Sequence, residues 1–370
     1  MGKSAIGRLQ GDAAYMNMFL TSGLAATRTY RGKTAKGLIF FFAAMVSIVL
    51  LTIIANLRSK VVAKLNAPED GVRKLFTCGN WLVAVSPKGE VYTWDWNQLT
   101  LKPRKYSFDA EDLTVTGEGF VIFAPRPHTE TLVIRDLQGK AEEKVIQLGA
   151  NWRCKTLCTS LNGKFTAAGL VDEKTPGRVG LGFVDCETGN VGIVVINAGI
   201  GGELLLKNVA ISEDGALLAG VGGQEGGWIA VANVKDKKVL WEKTLEGTDK
   251  LYEASFSPDG KRIYTGYGFT VYDFEVLPDK LVRKLTIDGS DRQEYITKIG
   301  VSPGVGLIAA GGIGSGVTIW NTDSSAKMIT IMPAHHIFVG MVFSPDSSLL
   351  ATADMRADGI IKIWRIPKPR

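Results

Sequence analysis

Histidine and cysteine are scarce in this 370-residue chain, and their scarcity limits the chemistry it can support. The three histidines are His128, His335 and His336, and the four cysteines are Cys78, Cys154, Cys158 and Cys186. Four cysteines without a close pairing pattern exclude a disulfide-rich scaffold. A metal centre needs three or four converging ligands, and a Ser-His-Asp set needs a placed histidine. We therefore predict no metal, no cofactor and no enzymatic activity.

Acidic residues are almost absent from the first 66 positions. That stretch holds nine Lys and Arg against Asp12 alone, whereas residues 67–370 hold 34 basic and 36 acidic residues. The formal net charge of +6 is therefore carried by the N-terminal stretch. Because the remainder has a net charge of −2 and no basic stripe, we expect no nucleic-acid binding.

Charge is absent altogether between Gly37 and Asn56, a run of twenty residues. At 1.5 Å per residue, a helix of that length spans about 30 Å, the thickness of the hydrocarbon core of a bilayer. We predict a basic leader at 1–36 and one transmembrane helix at 37–57, which contacts membrane lipid through Gly37–Asn56.

The basic residues on either side of this run indicate its orientation. Six lie in the leader and three, Arg58, Lys60 and Lys64, follow the run, which favours a cytoplasmic N-terminus. The C-terminal domain is then extracytoplasmic, at the periplasmic face of a bacterial inner membrane or, as the alternative, at the mitochondrial inner membrane. The leader is also typical of a mitochondrial presequence, and a presequence, a partner-binding helix and a solvated tail all stay open.

Glycine, by contrast, is abundant, with 43 residues, or about 12% against a usual ~7%. It separates short apolar segments that recur about every 45 residues, the period of a four-stranded propeller blade. These segments are EVYTWDW from Glu90, TLVIRDL from Thr131, VGLGFVD from Val179, WIAVANV from Trp228, FTVYDFE from Phe269, GVTIWNT from Gly316 and IIKIWRI from Ile360.

A second element, a Ser-x-x-Gly-like turn between two apolar strands, precedes most of these segments. Its instances are SLNGKF at Ser160, SEDGAL at Ser212, SPDGKR at Ser257, SPGVGL at Ser302 and SPDSSL at Ser344. Turn, strand and period together resemble the WD40-repeat β-propeller family over roughly residues 60–370. The resemblance implies an all-β, seven-bladed WD40-like propeller at 72–370, preceded by the single transmembrane helix.

The individual repeats depart from the family pattern. The Trp-Asp pair is literal only at Trp94-Asp95, and in the fifth unit we place it at Tyr272-Asp273. The family's buried hydrogen-bonded tetrad has candidates in the last unit alone, and these are His335, Thr352, Asp358 and Trp364.

Closure of the ring needs a strand from elsewhere in the chain. The sequence ends four residues after the segment Ile360–Ile366. No room is left for a fourth strand there, and an unpaired edge strand is a liability. We therefore assign 58–71 as a juxtamembrane segment in which Ser59–Leu65 pairs with Ile360–Ile366. A three-stranded last blade is the alternative. Pairing would turn the a–b and c–d loops toward the membrane.

Function is expected on the opposite face, where the longer b–c loops lie. The candidate partner-binding residues are Asp172, Glu173, Lys174, Arg178, Gln224, Glu225, Met355 and Arg356. The WD40 resemblance implies protein–protein interaction. We therefore predict a membrane-anchored scaffold or structural subunit of a membrane complex, whose partners are other protein subunits.

Two other functions stay open. One is an envelope enzyme or small-molecule sensor, since KVLWEKTLEG from Lys238 resembles a repeat of quinone-cofactor propellers. The other is an assembly or trafficking factor with a cytosolic propeller.

Overall fold

The computed structural model describes most of the chain beyond residue 60. The described ranges are 61–66, 68–99, 102–127, 129–149, 151–186, 188–197, 205–223, 226–248, 250–287, 295–313, 316–324, 326–331, 338–355 and 360–367. The predicted leader 1–36, the predicted helix 37–57 and residues 58–60 lie outside these ranges. Within them, no helix is both long and apolar enough to cross a membrane. The helical element found there is one 3-10 turn, Trp96–Gln98.

The described residues form 28 strands in seven four-stranded antiparallel sheets, which is a seven-bladed β-propeller. We name the strands of each blade a to d, from the ring axis outward, and number the blades along the chain. The all-β fold class and the number of blades predicted from the repeat are confirmed.

Blades 1 to 6 take their strands in strict chain order. Blade 1 is β2 (Lys74–Cys78), β3 (Trp81–Val85), β4 (Glu90–Asp95) and β5 (Arg104–Ser107). Blade 2 is β6 (Ala110–Val115), β7 (Phe120–Pro125), β8 (Thr131–Asp136) and β9 (Lys144–Gln147). Blade 3 is β10 (Trp152–Thr159), β11 (Thr166–Asp172), β12 (Arg178–Asp185) and β13 (Asn190–Asn197). Blade 4 is β14 (Leu206–Ile211), β15 (Leu217–Gly222), β16 (Gly227–Asn233) and β17 (Lys238–Leu245).

The last three blades complete the ring. Blade 5 is β18 (Ala254–Phe256), β19 (Arg262–Tyr267), β20 (Thr270–Glu275) and β21 (Lys280–Thr286). Blade 6 is β22 (Tyr295–Val301), β23 (Leu307–Ile313), β24 (Val317–Asn321) and β25 (Lys327–Ile331). Blade 7 is β26 (Phe338–Phe343), β27 (Leu349–Asp354), β28 (Ile360–Arg365) and, as its d strand, β1 (Val61–Asn66).

Strand β1 closes the ring by pairing antiparallel with β28. Its register runs from Val61 opposite Trp364 to Asn66 opposite Ile360. This is the pairing sought at Ser59–Leu65 in the sequence, and blade 7 has four strands in place of three. Sharing one blade between the two ends of a propeller removes an open edge.

The hydrophobic core of the described ranges forms seven clusters, one between each pair of neighbouring blades. Each sheet is therefore apolar on both faces. Between blades 4 and 5, for example, Trp241 lies 6.0 Å from Phe274, ring centre to ring centre, and its indole N–H donates to the Val276 carbonyl at 2.8 Å. Burying one such side chain contributes about 1.5–3 kcal/mol.

The Ser-initiated turns join strands a and b in blades 3 to 7. In each, the serine Oγ accepts a hydrogen bond from the backbone N–H five residues later, at 2.9–3.1 Å. The five serines, Ser160, Ser212, Ser257, Ser302 and Ser344, are all buried. Serine recurs at this position because its hydroxyl satisfies a backbone donor that the tight turn leaves without a strand partner.

In blade 5 the structure corrects the position that we assigned from sequence to the Trp-Asp pair. The position equivalent to Trp320-Asn321 of blade 6 is Phe274-Glu275 rather than Tyr272-Asp273, because Glu275 lies opposite Arg262 at the start of strand b. The carboxylate of Asp273 is fully buried and lies 2.7 Å from the guanidinium of Arg262. This aspartate therefore holds an internal ion pair and does not occupy the family's terminal aspartate position.

Candidate functional site

The d–a and b–c loops share one side of the ring, which we call the upper face. Beneath this face, a buried polar network joins the a strands of blades 1 to 3. The ammonium of Lys74 lies 3.0 Å from Asp112 Oδ2, and it also donates to the carbonyls of Leu113 (3.1 Å) and Leu157. The same Asp112 oxygen accepts from Leu157 N at 2.8 Å, and Arg73 donates to its other oxygen at 3.2 Å.

This network saturates the Lys74 ammonium, which has three N–H donors and three oxygen partners. The side chains of Lys74 and Asp112 are only 21% and 11% exposed, so their attraction is weakly screened. The network joins three consecutive blades at the channel wall. Its role is structural, and it gives the upper face a fixed base.

Further from the axis, ion pairs extend across the upper face of blades 2 and 3. Arg126 Nε lies 3.3 Å from a carboxylate oxygen of Glu111. Arg153 pairs with Glu130 at 3.2 Å and with Glu173 at 2.9 Å. Exposed pairs of this kind contribute about 0–1 kcal/mol each to stability. What matters is that they hold side chains of both charges in fixed positions on the surface. We call these ion pairs, together with the Lys74–Asp112 network, the charged band.

The b–c loop of blade 3 borders this band and is shaped by Asp172. Its Oδ1 accepts from the backbone N–H of Lys174 (2.9 Å) and Thr175 (3.2 Å), and its Oδ2 lies 2.8 Å from Arg178 Nη1. Burial opposes ionisation of Asp172, but the hydrogen bonds from Lys174, Arg178 and Thr175 together outweigh it and lower the pKa of this carboxyl. The Arg178 guanidinium also lies 5.3 Å from the Trp152 ring centre, within cation–π range.

The structure thus divides the predicted partner-binding residues by role. Asp172 is buried and Arg178 is half-buried, and both hold the loop in shape. Glu173 and Lys174 are exposed at its tip, and Met355 is 64% exposed beyond strand b of blade 7. The other three, Gln224, Glu225 and Arg356, lie outside the described residues.

Two of the four predicted tetrad residues of blade 7, Thr352 and Trp364, lie within the described residues. The indole N–H of Trp364 donates to Thr352 Oγ1 at 2.9 Å, and Thr352 is buried. His335 and Asp358 lie outside the described residues, so the complete tetrad stays a prediction.

The opposite wall of the channel carries a second ion pair. Lys298 Nζ lies 3.0 Å from Glu253 Oε2, at an angle outside hydrogen-bond geometry, and Asn208 Oδ1 accepts from Ala254 N at 3.4 Å. These side chains border a cavity of about 140 Å³ that continues along the a strands.

The polar channel residues share a sequence position. Asp112, Asn208, Glu253 and Lys298 each stand four residues before the Thr or Ser that begins the a–b turn. A polar residue at this place in an otherwise apolar a strand is the signal that could have identified them.

Of the four cysteines, Cys78 and Cys154 are buried and Cys158 and Cys186 are half-buried. All four are free, and burial raises the pKa of Cys78 and Cys158 to about 12 and that of Cys186 to about 11. Burial also raises the pKa of Cys154. At neutral pH these thiols are protonated and poor nucleophiles.

Comparison with known proteins agrees with this architecture. The family described as WD domain, G-beta repeat matches residues 326–365, which run from β25 through β28. No curated protein matches the sequence. A solved chain described as Kuenenia stuttgartiensis Hydrazine Synthase superposes with a TM-score of 0.64. The match covers 82% of this chain and 98% of that one at 15% identity, so it shows a shared fold. The protein is a seven-bladed β-propeller whose last repeat is of the WD40 type.

Proposed function

We propose that this protein is a membrane-anchored scaffold, or a structural subunit of a membrane complex, that binds partner proteins through the upper face of blades 1 to 3. The charged band is the observation that carries this proposal. It presents Arg126, Arg153 and Glu173 in fixed positions around the exposed tip at Lys174.

A protein partner fits this surface better than a uniformly charged ligand does. The band contains both signs of charge in alternation, which favours a partner with a complementary pattern and disfavours a polyanion. Its side chains are already held by ion pairs and by the Asp172 turn, so little conformational entropy is lost on binding.

The membrane anchor in this proposal is the uncharged run Gly37–Asn56, and the basic leader 1–36 favours an extracytoplasmic propeller. The proposed location is the periplasmic side of a bacterial inner membrane, with the mitochondrial inner membrane as the alternative. A reporter fused at Arg370 that is active only on the extracytoplasmic side supports this orientation. Activity only in the cytosol would instead support the assembly or trafficking factor.

The partner is identified by co-purification of the full chain in mild detergent, followed by mass spectrometry. The chain is compared with the double substitution Glu173→Lys and Lys174→Glu, which reverses the charges at the loop tip. Lys261→Glu is the matched control, because Lys261 is exposed in an a–b turn on the opposite face. We expect the double variant to lose the partner and the control to keep it. Recovery of monomer alone from the wild type would contradict the proposal.

The enzyme or small-molecule-sensor alternative would use the central cavity, where the Glu253–Lys298 pair lies. It predicts that Glu253→Gln abolishes binding of a small ligand while leaving the protein partners in place. A metal found by elemental analysis, or a quinone chromophore in the purified protein, would favour it over the scaffold.

A further inference from the structure

The outer strands of four consecutive blades share one irregularity. In blades 4 to 7, strand d carries one extra residue opposite the same point of strand c, which is a β-bulge. The extra residues are Leu240, Val282, Met328 and Val62, and we call them the rim row. The c–d ladder of blade 3 passes this point without a shift, whereas that of blade 2 ends before it, at Ile134 opposite Lys144.

All four rim-row residues are apolar, although they lie on the outside of the ring. Val282 is 37% exposed and Val62 is 41% exposed, while Leu240 and Met328 are half-buried and pack against the core clusters between blades 4 and 5 and between blades 6 and 7. Leu277, in the neighbouring c–d turn of blade 5, is 70% exposed. Single exposed aliphatic residues are ordinary, but Val62, Val282 and Leu277 share the outer edge of the ring, and such a group indicates a surface that something covers.

The row is also basic. Counted over Val234–Leu245, Val276–Thr286, Thr322–Ile331 and Val61–Asn66, the c–d turns and d strands of blades 4 to 7 hold nine basic and four acidic residues. One of the nine, Arg283, is paired with the buried Asp273, which leaves at most eight for a ligand. The corresponding stretches of blades 2 and 3, Leu137–Gln147 and Cys186–Asn197, hold two basic and three acidic residues. Apolar side chains among lysines match an anionic lipid surface, where aliphatic groups enter the interface and ammonium groups meet the headgroups.

The position of the row on the ring agrees with this ligand. Each rim-row residue is the second or third of its strand, so the row follows the edge beside the c–d turns. The a–b turns of the same face hold five acidic residues, which are Glu118, Glu213, Asp214, Asp259 and Asp346, against the two lysines Lys164 and Lys261. Anionic lipid would repel the acidic a–b turns in the middle of this face and attract its basic rim. The ring would therefore have to be tilted, with the rim of blades 4 to 7 against the lipid.

We infer that the rim of blades 4 to 7 lies on an anionic lipid bilayer. The inference rests on the proposed membrane anchorage. The uncharged run ends at Asn56, five residues before Val61 begins the d strand of blade 7, and five extended residues reach about 17 Å at most. An anchor in that run would therefore bring this part of the rim close to the bilayer.

The test uses the full chain reconstituted in lipid vesicles with and without phosphatidylserine. A single cysteine placed at Val282 or Met328 carries a fluorophore, and a lipid-borne quencher reports contact with the bilayer. Val145→Cys is the matched control, because Val145 follows a lysine on the outer strand of blade 2 and is 58% exposed. The native cysteines have raised pKa values and react slowly, and the labelled wild type measures their background.

We expect quenching at positions 282 and 328 but not at 145, and only when phosphatidylserine is present. Replacing Lys280 and Lys284 by Glu lowers the ratio of anchored protein whose rim contacts the bilayer to anchored protein whose rim does not, read from the quenching, by about fivefold or more for each lysine. Lys88→Glu on the upper face has no effect.

Each other outcome overturns the inference. Equal quenching at 282, 328 and 145 in vesicles that retain the protein after a carbonate wash refutes rim contact but leaves the anchorage intact. Loss of the protein in the carbonate wash refutes the anchorage and the inference together. Protection of position 282 that follows protein concentration rather than phosphatidylserine shows that a second copy of the chain covers the rim.

Discussion

Asp112 is the residue whose removal tests the structural basis of the charged band most severely. Asp112→Ala deletes the acceptor of Lys74, Arg73 and the Leu157 backbone N–H at once. Removing one partner of a fully buried ion pair costs about 3–5 kcal/mol. Because the Lys74 side chain is 21% exposed and keeps two carbonyl partners, we expect the lower figure of about 2–3 kcal/mol.

The measurement is the midpoint of thermal unfolding of the full chain in mild detergent. For a domain of this size, a loss of about 2–3 kcal/mol lowers the midpoint by roughly 4–10 °C. The control is Asp236→Asn in an exposed c–d turn, which should change stability by less than about 0.5 kcal/mol. A double-mutant cycle with Lys74→Met isolates the pair. A coupling near zero, or a midpoint like that of the control, would refute the assigned role of the network.

Three further predictions concern single positions in the ring. Gly163→Ala should cost more than about 3 kcal/mol in chemical unfolding, because a Cβ there meets backbone at 2.6 Å. Gly139→Ala, with a similar positive φ but in open space, should cost about 1 kcal/mol. Trp364→Phe loses the hydrogen bond to Thr352 and should cost about 1–2 kcal/mol, and an unchanged midpoint would contradict that bond. Burial raises the pKa of Glu213, so the folded protein binds this proton more tightly than the unfolded chain does. The free energy of unfolding therefore falls as pH rises above the pKa of the unfolded state. Glu213→Gln should remove this decline, and a variant whose stability depends on pH as the wild type's does would contradict the prediction.

The fold could be predicted from the sequence because its repeat appears as apolar segments that recur at a regular spacing. All seven segments identified in the sequence are c strands, since strand c carries buried apolar residues in every blade. The closing strand was accessible through the missing partner of Ile360–Ile366, which is a requirement of the ring rather than a motif.

The frame of blade 5 was wrong for a physical reason. Tyr272-Asp273 mimics the family's Trp-Asp pair, and Phe274-Glu275 follows immediately. A displacement of two residues along a strand keeps every side chain on the same face, so the apolar pattern cannot distinguish the two frames. The distance from the turn at Ser257 does distinguish them. In blades 4 to 7, strand b starts five residues after the serine of the turn, and its first residue lies opposite the second residue of the pair.

The candidate site was only partly predictable. The loop that carries Asp172 and Arg178 was identified from its length, but its internal ion pair depends on a turn that sequence does not specify. Lys74 and Asp112 escaped notice because they lie 38 residues apart and meet only when blades 1 and 2 pack. The rim-row bulges are equally invisible in sequence, since a bulge changes register without changing composition.

The central claim, that the upper face of blades 1 to 3 binds partner proteins, is tested most directly by photo-crosslinking in native membranes. A photoreactive amino acid replaces Lys174 at the loop tip or Lys261 on the opposite face, both of which are exposed. The account predicts a discrete crosslinked protein of defined mass from position 174 and none from position 261. Crosslinks from position 261 alone, or from neither position, would contradict it.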